Sequence, residues 1–162
     1  MSSSPTWSSV WCAKPAGLRD TAFLRSDELP GRAAVGYLST DSPRTNALHL
    51  PFLGSGDGGL YSTAADLHRL WTALYDARIV TPATLAEMTR PRSDWPEEYR
   101  RYGLGIHLHA TTNAVFLEGM DAGVSCATHH DPDAGTTFTV LSNTSSGAWP
   151  LVSLLAREFA SG

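Results

Sequence analysis

The sequence predicts an α+β domain, an antiparallel β-sheet with packed helices, within its 162 residues. Two segments of helical periodicity occupy the middle of the chain, and the apolar period then changes to two over several consecutive segments. A last amphipathic segment follows them. Short turns join the later segments, so they are predicted to pair as a meander, and alternating β–α–β units are absent.

The beginning of the chain has few regular signals. Residues 1–14 are predicted to be an irregular N-terminal segment, with one domain spanning 15–162, because Ser, Pro and Gly interrupt any apolar period. Trp7 and its apolar neighbours are interpreted as small anchors. A short extended piece is expected at 33–39, and the Asp, Pro and Asn content of 41–46 predicts a turn or loop.

The strongest helix signal begins at Thr63, which can cap a helix, with Asp66 three residues later as its capping-box partner. Five apolar residues then recur on one helical face: Leu67, Leu70, Trp71, Leu74 and Tyr75. A second helix is predicted from Thr81 and Pro82, a cap followed by proline at the first helical position, and Pro91 ends it.

The second half of the chain predicts strands. Residues 92–100 are expected to be a polar loop, after which apolar residues alternate at Leu104, Ile106 and Leu108. Further strands are expected at 114–117, 123–128 and 136–141, with a turn at 131–135. The closing helix is predicted over 149–159, with Leu151, Val152, Leu155 and Phe159 buried.

Charge and composition exclude several classes of function. Sixteen acidic against twelve basic residues give a net charge of −4, and no basic stripe predicts a nucleic-acid partner. No apolar run is long enough to span a membrane, and no signal peptide is visible, so the localisation stays open. Cys12 and Cys126 allow at most one disulfide, which the sequence does not decide.

The glycine cluster Gly54-x-Gly56-x-x-Gly59 has the spacing of a dinucleotide-binding loop. Its context differs, since no helix opens at its last glycine and no β–α–β unit follows. A tight turn that lets two backbone segments approach is the preferred interpretation, and no cofactor is predicted.

Histidines offer a second, different hypothesis, a metal-dependent enzyme. His107 and His109 share a strand face, and His129 and His130 stand beside Asp131. Spacing alone does not bring these groups together, so ordinary strand and loop histidines are the preferred interpretation and no metal site is predicted.

Serine nucleophiles have no motif in this sequence. Lys14 is the sole lysine, so Ser-x-x-Lys would need serine at position 11, which is Trp11. Pro15 follows Lys14 and excludes Lys-Thr-Gly, while Gly-x-Ser-x-Gly and Tyr-x-Asn are also absent. No catalytic residue is therefore predicted. The sequon that begins at Asn143 is interpreted as a turn.

Three further stretches carry recognisable motifs: residues 15–23 with 34–37, then 56–67, then 102–105, 117–125 and 139–143. They resemble the C-terminal half of the β-lactamase-related serine hydrolases, a family of class C β-lactamases, D-Ala-D-Ala carboxypeptidases and related esterases. The first resembles Pro-x-Gly-Met-x-Asp-Thr-x-Phe with a later Gly-Tyr, the second a glycine-rich loop and its helix, and the third Tyr-Gly-Leu-Gly, a His/Lys-x-Gly hairpin and a strand ending in Asn. The resemblance implies a partial β-lactamase/transpeptidase-like fold and acyl transfer through a serine ester.

The resemblance also implies a site. Leu117-Glu118-Gly119 stands where the family has Lys/His-x-Gly, and Met120 follows where the family places an oxyanion-hole N–H. These four residues are the expected substrate-binding residues, although Leu117 also fits a strand residue packed on a neighbour. Without Ser-x-x-Lys and Tyr-x-Asn the chain is expected to be catalytically incomplete. The alternative is a non-catalytic binding or assembly module.

Expected partners follow from the same resemblance. A completed site would take a small molecule or a peptidoglycan-like peptide, and family members often act outside the cytoplasm. The family sheet continues beyond strand 136–141 with N-terminal strands, so an exposed edge is expected there. That edge predicts pairing with a complementary N-terminal half or self-association.

Overall fold

Short elements form the first part of the structure, a computed structural model that describes residues 12–160. They are α1 (Ala13–Ala16), β1 (Ala22–Phe23), β2 (Tyr37–Ser39), β3 (Ser42–Thr45) and β4 (Leu60–Tyr61). Strand β1 pairs with β4, and β2 pairs with β3, both antiparallel. The loop predicted at 41–46 is wrong, because β3 occupies most of it and the turn is confined to residues 40–41. The irregular segment expected at 1–14 lies almost wholly outside the described residues and stays a prediction.

Both predicted middle helices are present, as α2 (Ala64–Tyr75) and α3 (Pro82–Met88). Each begins with a threonine cap: the Thr63 hydroxyl accepts a hydrogen bond from the Asp66 N–H at 3.2 Å, and Thr81 does the same for Thr84. The second half of the predicted capping box is wrong, since the Asp66 carboxylate instead accepts hydrogen bonds from the backbone N–H groups of Arg19 and Asp20 and from the Thr21 hydroxyl.

A six-stranded antiparallel meander forms the second part, and its strand order follows the sequence. Its strands are β5 (Ser93–Trp95), β6 (Arg100–Tyr102), β7 (His107–His109), β8 (Val115–Asp121), β9 (Val124–Asp131) and β10 (Thr136–Ser142). Helix α4 (Trp149–Ala160) closes the described chain. The predicted fold class, an antiparallel sheet with packed helices, is confirmed.

The first hairpin of this sheet contradicts two expectations. Residues 92–100 are not a loop but contain β5, a turn and the start of β6. All three residues of β5 are exposed, so no apolar alternation marks the strand. Leu104 is not part of a strand with Leu108, because Gly105 turns the chain with a φ of +70°.

The two faces of the sheet carry separate apolar clusters. On one face, α2 covers the cluster of Trp71, Leu74, Ile106, Leu108 and Val115. On the other face, α4 covers the cluster of Ala127, Phe138, Val140, Ala148 and Val152. The Trp71 indole N–H donates to the Thr128 hydroxyl at 2.8 Å, which fixes α2 on its face of β9. Leu151 was expected inside α4 but is 47% exposed, since Val152 takes the inward position.

Among the strands of residues 12–160, β10 is the outermost strand of the sheet, and β9 is its strand partner. The sequence predicts an exposed edge at this strand. Within residues 12–160, no helix combines the length and the apolar character needed to cross a membrane.

Candidate functional site

Strand β8 holds all four predicted site residues in one continuous register. On one side it pairs with β9 along its full length, including Leu117 with Thr128 and Gly119 with Cys126. On the other side β7 pairs only with Val115 and Phe116. From Leu117 to Asp121, no strand of the described chain lies beside this second edge. We call these residues the open edge.

The open edge presents backbone hydrogen-bonding groups. The His109 N–H donates to the Ala114 carbonyl at 2.9 Å, so even-numbered residues of β8 direct their backbone groups towards β7. By the two-residue period of a strand, Glu118 and Met120 direct their N–H and C=O groups to the same side, where no strand receives them. The Met120 N–H, which the resemblance expects to be an oxyanion donor, therefore points towards the open edge.

The Leu117 side chain lies on the α2 face of β8. It is partly buried against the cluster of Trp71 and Val115. The packing interpretation of this residue therefore agrees with the structure. An apolar side chain here adds no charge to the site and cannot activate a hydroxyl.

Glu118 projects to the opposite face and forms an ion pair with Arg100. Arg100 also pairs with Glu98 at 3.1 Å, and its guanidinium lies 5.2 Å from the centroid of the Phe116 ring. The Arg100 side chain is only 18% exposed, so this carboxylate is held away from the α2 face. It is a positioned acceptor rather than a free base.

Cys126 lies opposite Gly119, a neighbour that motif reading does not indicate. A side chain at Gly119 would place its Cβ 3.9 Å from the Cys126 sulfur. Burial, with a smaller contribution from Glu118, raises the pKa of the Cys126 thiol, so it is protonated at neutral pH. Cys12 and Cys126 are both free, which resolves the disulfide that the sequence left undecided.

The β8–β9 turn at the end of the open edge is tied down by Asn46. The buried Asn46 amide donates to the Ala122 carbonyl at 2.9 Å, and its oxygen accepts from the Gly36 N–H at 3.2 Å. The Gly123 N–H donates to the Ser145 hydroxyl at 2.8 Å. Asn46 lies in the stretch predicted to be a turn or loop, and no local signal indicates its role, because its partner Ala122 lies 76 residues away.

The candidate metal histidines do not converge. Phe116 lies between His107 and His129, at ring-centroid distances of 5.0 Å and 4.6 Å. His130 lies on the other face, stacked on Trp71. No group of three or more His, Cys, Asp or Glu side chains in the described part of the chain is placed to hold a metal ion. His107, His129 and His130 instead pack against aromatic rings, and His109 Nδ1 accepts hydrogen bonds from the N–H groups of Thr111 and Thr112.

His129 makes the stability of the fold depend on pH. Its ring is sandwiched between Phe116 and Phe138, and its Nε2 is buried without a hydrogen-bond partner. Burial lowers the pKa of His129 from 6.5 to about 4; Glu118 opposes this effect, whereas Arg100 and the histidines at 107 and 109 add to it. The folded state thus disfavours the protonated ring. The stability is complete above pH 6.5 and falls as the pH drops towards 4.

We expect the free energy of unfolding to fall by roughly 2 kcal/mol between about pH 6.5 and about pH 5, and His129→Phe to abolish most of this loss. Chemical denaturation of both proteins at several pH values measures this loss of stability. The same change at an exposed histidine, His49→Phe, is the control and should leave the pH dependence intact. An unchanged pH profile in His129→Phe would contradict the assignment.

The glycine cluster forms a tight turn and the sequon lies in a turn, as their preferred interpretations predict. A Cβ on Gly54 would lie 2.6 Å from the carbonyl carbon of Gly59, so the cluster is a tight backbone approach. Gly59 itself has a φ of +84°. Asn143 begins the turn between β10 and α4.

An antiparallel meander with α2 over one face and α4 over the other agrees with the partial β-lactamase-like fold that the resemblance implies. The family model described as Beta-lactamase matches residues 11–160. This chain belongs to the β-lactamase family.

Individual relatives agree with this assignment. The chain is similar to the putative penicillin-binding protein PbpX of Bacillus subtilis (strain 168), with 28% identity over 97 residues, 59% of this chain and 23% of that protein. Among solved structures it is similar to a penicillin binding protein from Bacillus halodurans, with a TM-score of 0.86 and 26% identity over 94% of this chain. It is also similar to a D-stereospecific amidohydrolase from Streptomyces sp., with a TM-score of 0.64 and 25% identity over 82% of this chain.

The chain spans only part of these relatives. It covers 48% of the penicillin binding protein and 42% of the amidohydrolase. This partial coverage agrees with the C-terminal portion that the motif order indicates.

Proposed function

We propose that this chain supplies one wall of the acyl-transfer cleft of a β-lactamase-like serine hydrolase, and that these 162 residues alone do not turn over substrate. The observation that carries the proposal is the open edge of β8, which leaves the backbone groups of Glu118 and Met120 without a strand partner.

The open edge suits an extended acyl substrate. A peptide laid beside Leu117–Asp121 would exchange backbone hydrogen bonds with Glu118 and Met120, as in β-strand addition. The Met120 N–H would then be one donor to the oxyanion of the tetrahedral intermediate. Leu117, Glu118, Gly119 and Met120 are thus the proposed substrate-binding residues.

This wall of the cleft has no motif for a nucleophilic residue or for the base that would activate it. The one lysine of the chain, Lys14, lies exposed in α1 and is followed by Pro15. An acyl-enzyme needs a hydroxyl activated by a neighbouring base, and Leu117 cannot replace a family cation in that role. A single backbone donor without a nucleophile does not form an ester intermediate.

The substrate class follows from the relatives. One is named a penicillin binding protein and another a D-stereospecific amidohydrolase. We therefore assign amides or esters of D-configured residues, such as peptidoglycan-like peptides, as substrates of the completed site.

Hydrolysis assays on the purified chain test the incomplete site. We expect no turnover of nitrocefin or p-nitrophenyl esters above buffer, and no mass increase after incubation with a penicillin. A full-length penicillin-binding relative serves as the positive control. Turnover that a serine-directed phosphonate abolishes, or a covalent adduct on this chain, would contradict the proposal.

A non-catalytic binding module is the second candidate, favoured by an open edge that needs no nucleophile to bind a strand. NMR titration with a peptide ending in D-Ala-D-Ala distinguishes it. Saturable shifts of the Glu118 and Met120 amides, with the peptide intact afterwards, would support this role. Absence of shifts at these two amides would exclude it.

The outer edge of β10 is the proposed interface for a complementary N-terminal half or for a second copy. Leu141 of this strand is 45% exposed, and the outer backbone groups of the strand have no strand partner in the described chain. We expect gel filtration to show larger species as the protein concentration rises, and Leu141→Lys to reduce them. A sharp monomer peak at every concentration would speak against this interface.

A further inference from the structure

A cavity of about 320 Å³ lies at the end of β8 opposite to the open edge. It is a half-open cavity, bounded by the last turn of α2, by α3 and by the turn between β7 and β8. Its walls are mostly apolar: Leu74, Leu85, Ala86, Leu108, Val115 and Pro132. The volume is within the lower range of cavities that hold small ligands.

One cation lies on this apolar wall. Arg101 pairs with Leu108 across β6 and β7, so its side chain lies on the α2 face, where it lines the cavity. Its guanidinium donates twice to the His109 carbonyl, at 3.1 Å and 2.8 Å, and is thereby held in one orientation. Arg101 is partly buried, which makes an unpaired charge there costly.

Arg101 forms no ion pair within residues 12–160, although Asp94 lies opposite it across β5 and β6. Its neighbour in sequence, Arg100, pairs with two glutamates, and Arg92 pairs with Glu87 at 2.8 Å. The Arg101 guanidinium bonds instead to the backbone carbonyls of His109 and Thr112. A partly buried cation without a bonded carboxylate, on the wall of an apolar cavity, favours an anionic group from a ligand.

Tyr75 also lines the cavity and adds no charge to it. Burial, together with Asp131 and Asp133, raises the pKa of Tyr75 to about 12, so the phenol stays neutral. Arg101 is therefore the group on the cavity wall that can bind a carboxylate, with the apolar part of the ligand along Leu74 and Leu85.

We propose that this cavity is a binding site for a small monocarboxylate with an apolar chain, its carboxylate bound by Arg101. The site is separate from the open edge and does not depend on the proposed acyl-transfer role.

Titration of the 162-residue chain with octanoate, followed by NMR, tests the site. We expect saturable shifts at Leu74, Leu85 and Val115, and weaker binding of octan-1-ol and of octylammonium. Arg101→Gln should weaken the binding of octanoate, raising its Kd by about tenfold. The control Arg44→Gln removes an exposed arginine elsewhere and should leave the affinity unchanged.

Arg101 also supports the β7–β8 turn, so a second variant keeps the site testable if Arg101→Gln unfolds. Ala86→Leu, at an exposed position of α3, fills the cavity and should abolish binding without loss of folding. Equal binding of octanoate and octan-1-ol, unchanged binding to Ala86→Leu, or no binding at all would each overturn the proposal.

Discussion

Replacing Asp66 by asparagine is expected to lower the free energy of unfolding by about 3 kcal/mol. The Asp66 carboxylate is fully buried in α2 and accepts hydrogen bonds from the N–H of Arg19, the N–H of Asp20 and the hydroxyl of Thr21, the last two at 2.7 Å. Arg69 completes the set as an ion pair. An amide offers one acceptor oxygen instead of two and sets its NH₂ against donors, so buried N–H groups lose their partner.

Acid should weaken the same contact. Burial by itself would raise the pKa of the Asp66 carboxyl, but hydrogen bonds from Thr21, Asp20 and Arg19, with the charge of Arg69, hold it below its ordinary value of 3.8. This stabilisation is present above pH 3.8 and is lost as the pH falls through the folded-state pKa.

Denaturant unfolding at neutral pH and in acid measures both effects. Asp76→Asn, at the other end of α2, is the matched control, because Asp76 is 60% exposed and should cost little. The difference in the free energy of unfolding between wild type and Asp66→Asn should become smaller in acid. Equal free energies of unfolding for Asp66→Asn and Asp76→Asn at neutral pH would contradict a stabilising role of the buried Asp66 carboxylate.

Gly36→Ala is expected to cost about 3 kcal/mol and to loosen the end of the open edge. A Cβ at position 36 would overlap the Gly123 carbonyl and the Asn46 amide, whose Cγ lies 2.8 Å away. Gly123 has a φ of +72°, so the turn cannot move aside easily. Asn46 would lose its contact with Ala122, and β8 would lose its tether.

Thermal unfolding reports the loss of stability, and hydrogen exchange of the Met120 and Ala122 amides reports the loosening. Gly56→Ala is the control, because a Cβ there meets nothing within 4 Å. Unchanged hydrogen exchange at both amides in a folded Gly36→Ala protein would show that the contact of Gly36 with Asn46 and Gly123 does not position the open edge.

Helix caps, apolar periodicity and turn sequences predicted the elements whose stabilising contacts are close in sequence. The Thr63 cap and the apolar face ending in Tyr75 predicted α2, and the Asp-Pro turn at 131–135 predicted the last hairpin. Strand β5 had no such signal, because its side chains are exposed and its pairing partner, not its pattern, makes it a strand.

The site was predicted only through resemblance. No pattern in the sequence shows that β7 stops pairing at Phe116, and this alone opens the edge at Met120. The role of Asp66 was missed because its partner Thr21 lies 45 residues away, beyond any local motif. Long-range hydrogen bonds leave no periodic trace in a sequence.

The sequential strand order has a consequence for how this polypeptide acquires its structure. From Ser93 to Ser142 every strand pairs with its immediate successor. Each hairpin therefore closes a short loop with little entropy cost, and topologies with such local contacts fold fast. The pairing of these six strands therefore needs no strand from outside residues 93–142, and a segment that completes the cleft would add to the edges of the sheet.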